Sequence, residues 1–480
     1  MSWAWIVTIL SVVDTILVGL AIISVLRRPR EPRAMLAWIL ALLLLPILGL
    51  ILFVLTGEPR FERTRRKRRR HRRRIGGKLR DHLDSVQVDD ESETGAEHVA
   101  ADLATLATQV SNRMPTMGND VTIYHEDEQN FNAILEAIES ARAHVHLEYY
   151  IFQPDDTGRQ LRDLLIKKAA QGVEVRLLVD YIGCWKWPRS FRKSFTRGGI
   201  KLGWFLPVVP WRGRWRVNFR NHRKIVVVDG RIGFTGSQNI GDEYRGRLAK
   251  FGPWRDTHMR IIGPAVQQLQ ATFAEDWLYA TREEISADVY FPPPITRGNQ
   301  TVQVIPSGPD SNPRIMHHLL NAAVTGARAS VDIITPYFAP DTTMIVALQS
   351  AAYRGVRVRL LIPSLSDHFV TLWAGRSFYQ ELTDAGVEIY EYAHALLHSK
   401  VVIVDSSCGL VGSANMDQRS FRINFEVTTI LYDQSLAANL QEDFDGLLVK
   451  ADRIQPDSPD HWGFRKSILL GLARLTSPLL

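Results

Sequence analysis

Two histidine–lysine pairs stand at matched places in this chain of 480 residues, and the same polar and small side chains follow each. The first set is His222, Lys224, Asp229, Gly236, Ser237 and Asn239; the second is His398, Lys400, Asp405, Gly412, Ser413 and Asn415. Both read His-x-Lys, four residues, Asp, six residues, Gly-Ser-x-Asn, and repetition at identical spacing marks a duplicated unit. The chemistry such a set can perform is phosphodiester exchange. One imidazole attacks phosphorus and holds it covalently; the other protonates the departing oxygen and then deprotonates the incoming alcohol. Lys224 and Lys400, with Ser237, Asn239, Ser413 and Asn415, are expected to surround the phosphate and stabilise its charge. A single copy would be an ordinary buried histidine beside a lysine; two copies displace that reading. A divalent-metal route lacks the expected carboxylate cluster beside these histidines. No metal and no other cofactor is expected.

Strands must position these groups. Ile225-Val226-Val227-Val228 and Val401-Val402-Ile403-Val404 are β-branched runs that predict buried strands. Residues two apart on a strand share a face, so each His and its Lys should project together. Gly-Ser-x-Asn is turn chemistry, able to aim amide groups and a hydroxyl at one place. A nucleophilic imidazole also needs a carboxylate on its other nitrogen to fix the tautomer. Asp229 and Asp405 count with the catalytic set, but they lie five residues past their lysines and can equally anchor the turn.

The residues around the motifs extend the pattern: Arg220-Asn221-His222-Arg223-Lys224, and Gly412-Ser413-Ala414-Asn415-Met416-Asp417-Gln418-Arg419-Ser420-Phe421. With them the chain resembles the phospholipase D superfamily, in its bacterial cardiolipin synthase branch, over nearly its whole length. The resemblance implies an α/β fold of two tandem phospholipase D-like domains, each a mixed sheet flanked by helices, related by a pseudo-twofold. It implies phosphatidyl transfer between two phosphatidylglycerol molecules through a phosphohistidine, with His222 as nucleophile and His398 as acid and base. It also places the orienting acids after Gly-Ser-x-Asn: Glu426 for the second motif and Asp256 for the first, with Asp242 or Glu243 as competitors. A hydrolase or a transferase using another alcohol remains open within the superfamily. A membrane-tethered nuclease and a non-catalytic scaffold are the readings from other classes, and nucleic acid is disfavoured as a partner.

The rest of the chain supplies the frame. Helical periodicity over 131–142, 161–170, 317–329 and 342–353 alternates with strand-like runs over 145–152, 173–179, 331–338 and 356–362, an α/β pattern that occurs twice. The expected domains are 111–290 and 296–480, separated by Phe291-Pro292-Pro293-Pro294. Apolar stretches over 3–26 and 34–55 predict two transmembrane helices within 1–58, with Asp14 inside the first and Pro46 kinking the second. Residues 59–110 read as a basic juxtamembrane segment and linker. Eleven Lys or Arg against one acid fall in 60–74, a local +10, whereas the whole chain carries +7. The basic run therefore suits anionic lipid, and the remainder is acidic on balance. Four arginines also fall in the 27–33 connector, which two full spans would place on the opposite side. The larger cluster predicts a multi-pass protein of the bacterial cytoplasmic membrane with its catalytic body in the cytoplasm. Trp185, Trp187, Trp204, Trp211 and Trp215, mixed with Lys and Arg, suggest an interfacial surface, and 466–475 suggests a helix lying on the membrane. Cys184 and Cys408 suggest no disulfide framework.

Overall fold

The computed structural model of the chain describes residues 3–27, 32–56, 95–208, 218–248, 252–310, 314–366, 368–455 and 464–477. The basic run over 60–74, Trp211 and Trp215 lie outside them. Two compact units emerge, one built on residues 1–60 and 207–219, the other on 61–206 and 220–480.

In the first unit, Trp3–Leu26 is one helix whose Trp5–Leu26 stretch has a mean hydropathy of 2.6 and is long enough to cross a bilayer. The second apolar stretch departs from expectation. It breaks into Pro32–Leu44 and Pro46–Thr56, helices of 13 and 11 residues. At 1.5 Å per residue these reach only ~20 and ~17 Å, short of the ~30 Å hydrocarbon core. Pro46 has no N–H to give the preceding turn. The bend is tight: a β-carbon on Gly49 would lie 2.5 Å from the Ala41 carbonyl oxygen. Val18, Ala21, Val25 and Leu42 bury themselves in a small cluster, backed by Trp38 and Phe53. The pair of straight spans is thus corrected to one full-length helix and one folded-back segment.

The second unit carries the motifs on a sheet of 15 strands. Its order from the middle outward is the same in each half. One half runs Thr116–Tyr124, His258–Ile262, Ile232–Gly236, Ile225–Val228, His144–Tyr149, Glu174–Asp180 and Lys201–Phe205. The other runs Gln300–Ser307, Glu426–Leu431, Cys408–Gly412, Val401–Val404, Ser330–Ile334, Arg357–Pro363 and Glu388–Tyr392, with Ala451–Arg453 added at its edge. The halves join where Thr116–Tyr124 pairs antiparallel with Gln300–Ser307. The predicted alternation is observed: helices Asp127–Ser140, Asp156–Ala170, Ile315–Gly326 and Thr342–Tyr353 fall on the four expected segments. Asp155 and Asp341, at matched places, each cap the following helix with the side chain.

Side-chain alternation along the motif strands explains how the halves meet. Ile225 and Val227 share one apolar core with Val401 and Ile403, whereas Val226 and Val228 pack under the first half's helices and Val402 and Val404 under the second's. The shared core brings the two motif strands together.

Two further expectations change, and the C-terminal segment is helical as expected. Residues 95–110, read as part of the juxtamembrane segment and linker, form the helix Gly95–Ser111, whose Val99, Leu103 and Ala107 are buried against the second half's helices; their four-residue spacing is the apolar face the acidic flank obscured. Of the described insertion tryptophans, Trp187 is core, stacked on Phe195, and Trp204 is half-buried; Trp185 is exposed with Lys186 near its ring. The C-terminal Phe464–Thr476 is a helix, and Arg474 ties it to the body through Glu381 (2.6 Å) and the Ser377 carbonyl (3.1 Å).

Candidate active site

Both His-x-Lys pairs lie just before their strands rather than in them, since the ladders begin at Ile225 and Val401. Each lead-in is instead held by the other half. Asn221 bridges to Phe425, the His222 N–H donates to the Phe425 carbonyl (2.8 Å), and the Phe425 N–H donates to the Arg220 carbonyl (2.8 Å). On the opposite side Trp254-Arg255 pairs in parallel with Leu396-Leu397, and the His398 N–H donates to the Arg255 carbonyl (2.8 Å). The next residue in each case is an acid. Glu426 Oε2 lies 3.0 Å from His222 Nδ1, and Asp256 Oδ1 lies 2.8 Å from His398 Nδ1.

The acids are therefore exchanged between halves. Glu426 serves the first-motif histidine and Asp256 the second, the reverse of the assignment expected from sequence order. Asp242 and Glu243 do not compete: Asp242 binds the Thr157 N–H and hydroxyl, and Glu243 accepts from Gln153. With Nδ1 of each ring facing a carboxylate, Nε2 is the nitrogen left for chemistry. Glu426 is itself fixed by Ser413 Oγ (2.5 Å), Ser420 Oγ (3.1 Å) and Asn424 Nδ2 (3.1 Å); Asp256 accepts from Trp254 Nε1 (2.8 Å).

Electrostatics join the four motif side chains into one site. Burial lowers His222 to about 4, opposed by Glu426 and helped by Lys224 and Lys400. Burial also lowers His398, opposed by Asp256 and helped by Lys400 and Lys224. Lys224 falls well below its ordinary value, first through burial and then through the charge of Lys400. Burial would raise Glu426, but His222 and Lys224 hold it below the usual carboxylate value. An anion placed between these lysines would favour their charged forms against burial and mutual repulsion. In this state Lys224 Nζ donates to the His222 carbonyl (2.7 Å) and Lys400 Nζ to the His398 carbonyl. Among the described residues, no three His, Cys, Asp or Glu side chains cluster as metal ligands.

Asp229 and Asp405 do not join the site. Five extended residues put each ~16 Å along the strand from its lysine. There Asp229 accepts from the N–H groups of Arg142, Ala143 and His144 (2.8 Å each), and Asp405 from those of Arg328, Ala329 and Ser330 (2.7 to 3.2 Å). Each pins the neighbouring strand's start to the turn that reverses its own, with Asp229 and Asp405 at positive φ. The motif aspartates anchor structure.

Ser237 and Ser413 are also turned away from phosphate binding. Ser237 Oγ donates to the Thr257 carbonyl and accepts its N–H (3.0 Å each), while Ser413 Oγ holds Glu426 and accepts the Val427 N–H (3.0 Å). Each serine ties its turn to the strand that carries an orienting acid. The preceding glycines permit that approach: a β-carbon on Gly412 would lie 2.4 Å from the Val427 carbonyl oxygen. Asn239 accepts from the Ile151 N–H (3.2 Å), and Asn415 Oδ1 is buried without a hydrogen-bond partner among the described residues.

Sequence reasoning missed the aromatic and polar frame. The Tyr150 ring stands 5.0 Å from His222 with Lys224 Nζ 5.7 Å above it, and Trp254 lies 5.3 Å from His398. Arg223, the residue between His and Lys, is buried and bonds Asp276, the Glu426 carbonyl (2.9 Å) and the Ser307 carbonyl (2.8 Å). A signal for Tyr150 was its place at the end of a predicted strand that runs antiparallel to the motif strand. Nothing local signalled Asp276, which the helix Ala265–Thr281 delivers from 53 residues along the chain.

The chain matches the family model described as cardiolipin synthase, PLD-like domain, over residues 134–277 and 320–448, and that described as phospholipase D-nuclease N-terminal over residues 16–58. It is 41% identical over 381 residues to a cardiolipin synthase of Geobacillus kaustophilus, spanning 79% of this chain and 76% of that one. It is 43% identical over 355 residues to cardiolipin synthase 2 of Bacillus cereus, spanning 74% and 69%. Among solved structures, phosphatidylserine synthase of Haemophilus influenzae aligns with 79% of this chain and 100% of its own, with a TM-score of 0.63 at 14% identity, a likeness of fold.

Proposed function

We infer, from the premise that this chain belongs to the cardiolipin synthase family of phospholipase D-like proteins, that it joins two phosphatidylglycerol molecules into cardiolipin and glycerol. The observation that carries the mechanism is the pair of crossed carboxylate–imidazole contacts, Glu426 with His222 and Asp256 with His398. His222 Nε2 attacks the phosphorus of the first phosphatidylglycerol. A nitrogen–phosphorus bond forms as the bond to the glycerol oxygen breaks, and His398 gives that oxygen its proton. The substrate's phosphate charge and Asp256 favour the protonated form of His398 against its burial. The primary hydroxyl of a second phosphatidylglycerol then yields its proton to His398 and displaces His222. Lys224 and Lys400, freed from the carbonyls they bind, neutralise the phosphoryl oxygens, with the amides of Asn239 and Asn415 beside them.

Glu426 fixes Nδ1–H and so leaves His222 Nε2 unprotonated, with the ring kept neutral by burial down to about 4. That state suits a nucleophile; His398 has a matching contact with Asp256, so the first attack is assigned to His222 on the phospholipase D resemblance, in which the first-motif histidine takes that role. The test is covalent capture. The full chain with His398→Ala, given a phosphatidyl donor with a nitrophenol leaving group that needs no acid, should gain one phosphatidyl mass on His222. Capture on His398 in His222→Ala, and none on His222, would reverse the order.

The N-terminal apolar helix suits membrane anchoring. In place of a second span, we propose that the broken 32–56 segment re-enters the leaflet it leaves. The 27–33 arginines and the 60–74 run then share one side, which the positive-inside rule makes cytoplasmic. Phosphatidylglycerol is the expected substrate there, and the basic run enriches it locally.

A further inference from the structure

The catalytic body carries an apolar surface that the mechanism does not use. It is built from the Phe369–Arg376 helix and the C-terminal Phe464–Thr476 helix, which pack side by side. Ile468, Leu472 and Leu475 are 48%, 57% and 76% exposed, and their spacing sets them on one face of the C-terminal helix. Leu365, Phe369 and Val370 are 66%, 60% and 46% exposed on the neighbouring loop and helix. Six large apolar side chains exposed in one region exceed what a water-facing surface carries by chance. Neither helix carries an acid of its own, and their described arginines are each paired with a neighbouring glutamate, Arg376 with Glu391 (2.8 Å) and Arg474 with Glu381 (2.6 Å).

The position of this surface gives it a purpose. Tyr337 stands 6.3 Å from the His398 ring and 5.4 Å from the His368 ring, and His368 directly precedes Phe369. The apolar rim therefore borders the second-motif side of the site. Arg474 ties the C-terminal helix to the segment that follows Arg376, bound to the Ser377 carbonyl and Glu381 and lying 4.6 Å from the Phe378 ring.

We propose that this edge docks into the anionic bilayer surface, with Phe369, Val370, Ile468, Leu472 and Leu475 entering the headgroup and upper acyl region. It lets a lipid reach His398 without leaving the membrane for water. The occupant is a lipid surface because large apolar side chains are exposed on two packed helices that carry no acid, beside the half of the site a lipid has to reach. The choice of a lipid rests on the proposed substrate, and the docking goes beyond it.

The experiment places a spin label on the full chain in vesicles containing phosphatidylglycerol, in a Cys184→Ser, Cys408→Ser background, at Phe369→Cys, Leu472→Cys or the exposed control Lys167→Cys. Labels at 369 and 472 should be reached by oxygen and shielded from a water-soluble nickel complex, with the control showing the opposite. Equal nickel access at all three sites would overturn the proposal. So would shielding from both reagents with dipolar broadening between chains, which would mean a second copy covers the face. These readouts need no turnover, so docking found without cardiolipin formation would refute the synthase reading and leave the docking standing. As a second arm, Phe369→Asp with Leu472→Asp should lower the ratio of turnover on vesicles to turnover on dispersed short-chain phosphatidylglycerol by about tenfold or more; an unchanged ratio would also overturn it.

Discussion

At the scale of residues, the crossed acids make a prediction that their order in the chain would invert. A carboxylate beside an imidazole favours its charged form, so removing it lowers that imidazole's pKa. Glu426→Gln should therefore move His222 below its value of about 4 and leave His398 in place, while Asp256→Asn should lower His398 alone. Ring-nitrogen NMR across the acid range reads both. Each variant should also lose on the order of 10³- to 10⁴-fold in kcat, as when an orienting carboxylate is neutralised in other triads. Because His222 must be neutral to attack, the acid limb of donor turnover should fall near 4, not near the ordinary imidazole value. The motif aspartates behave differently. Asp229→Ala strips the acceptor from three backbone N–H groups, so denaturant titration should show a loss of about 2–4 kcal/mol. Turnover per folded molecule should stay within about tenfold of the parent; a loss comparable to that of Glu426→Gln would return Asp229 to the chemistry.

At the scale of elements, buried strands and amphipathic helices were legible because each obeys a local period. Ile225-Val226-Val227-Val228 has no polar member and could only be a strand covered on both faces. What could not be read was which half each acid serves. Glu426 and Asp256 are nearer in sequence to the motifs they do not serve than to their actual partners. Only the pairing of 254–255 with 396–397, and of 221 with 425, carries them across. The serines illustrate the same limit: a hydroxyl after glycine looks poised for phosphate until a strand is laid against it. That close packing is testable. Gly412→Ala would press a β-carbon into the Val427 carbonyl, 2.4 Å away, and should cost about 1–3 kcal/mol while disturbing Ser413's hold on Glu426. A thermal melt beside a kcat measurement reads both effects, and a silent Gly412→Ala would show that the turn is loosely fitted.

At the scale of the whole molecule, the apolar N-terminus was visible from composition, but its path was not. Length alone gave 34–55 the span of a bilayer, and the structure breaks it at Pro46. The re-entrant topology predicts that single cysteines near 30 and near 100, in a background lacking Cys184 and Cys408, both resist an impermeant thiol reagent in intact cells. Labelling at 30 with protection at 100 would restore two full spans. The central claim, that one site drawn from both halves transfers a phosphatidyl group to a lipid alcohol, is tested most directly by product stoichiometry. Purified full chain in membranes containing only phosphatidylglycerol, labelled in its terminal glycerol, should form cardiolipin and free glycerol in equal amounts. Added glycerol should drive labelled cardiolipin back, because one phosphodiester replaces another of similar energy. Phosphatidic acid as the main product, with little or no cardiolipin, would contradict the account.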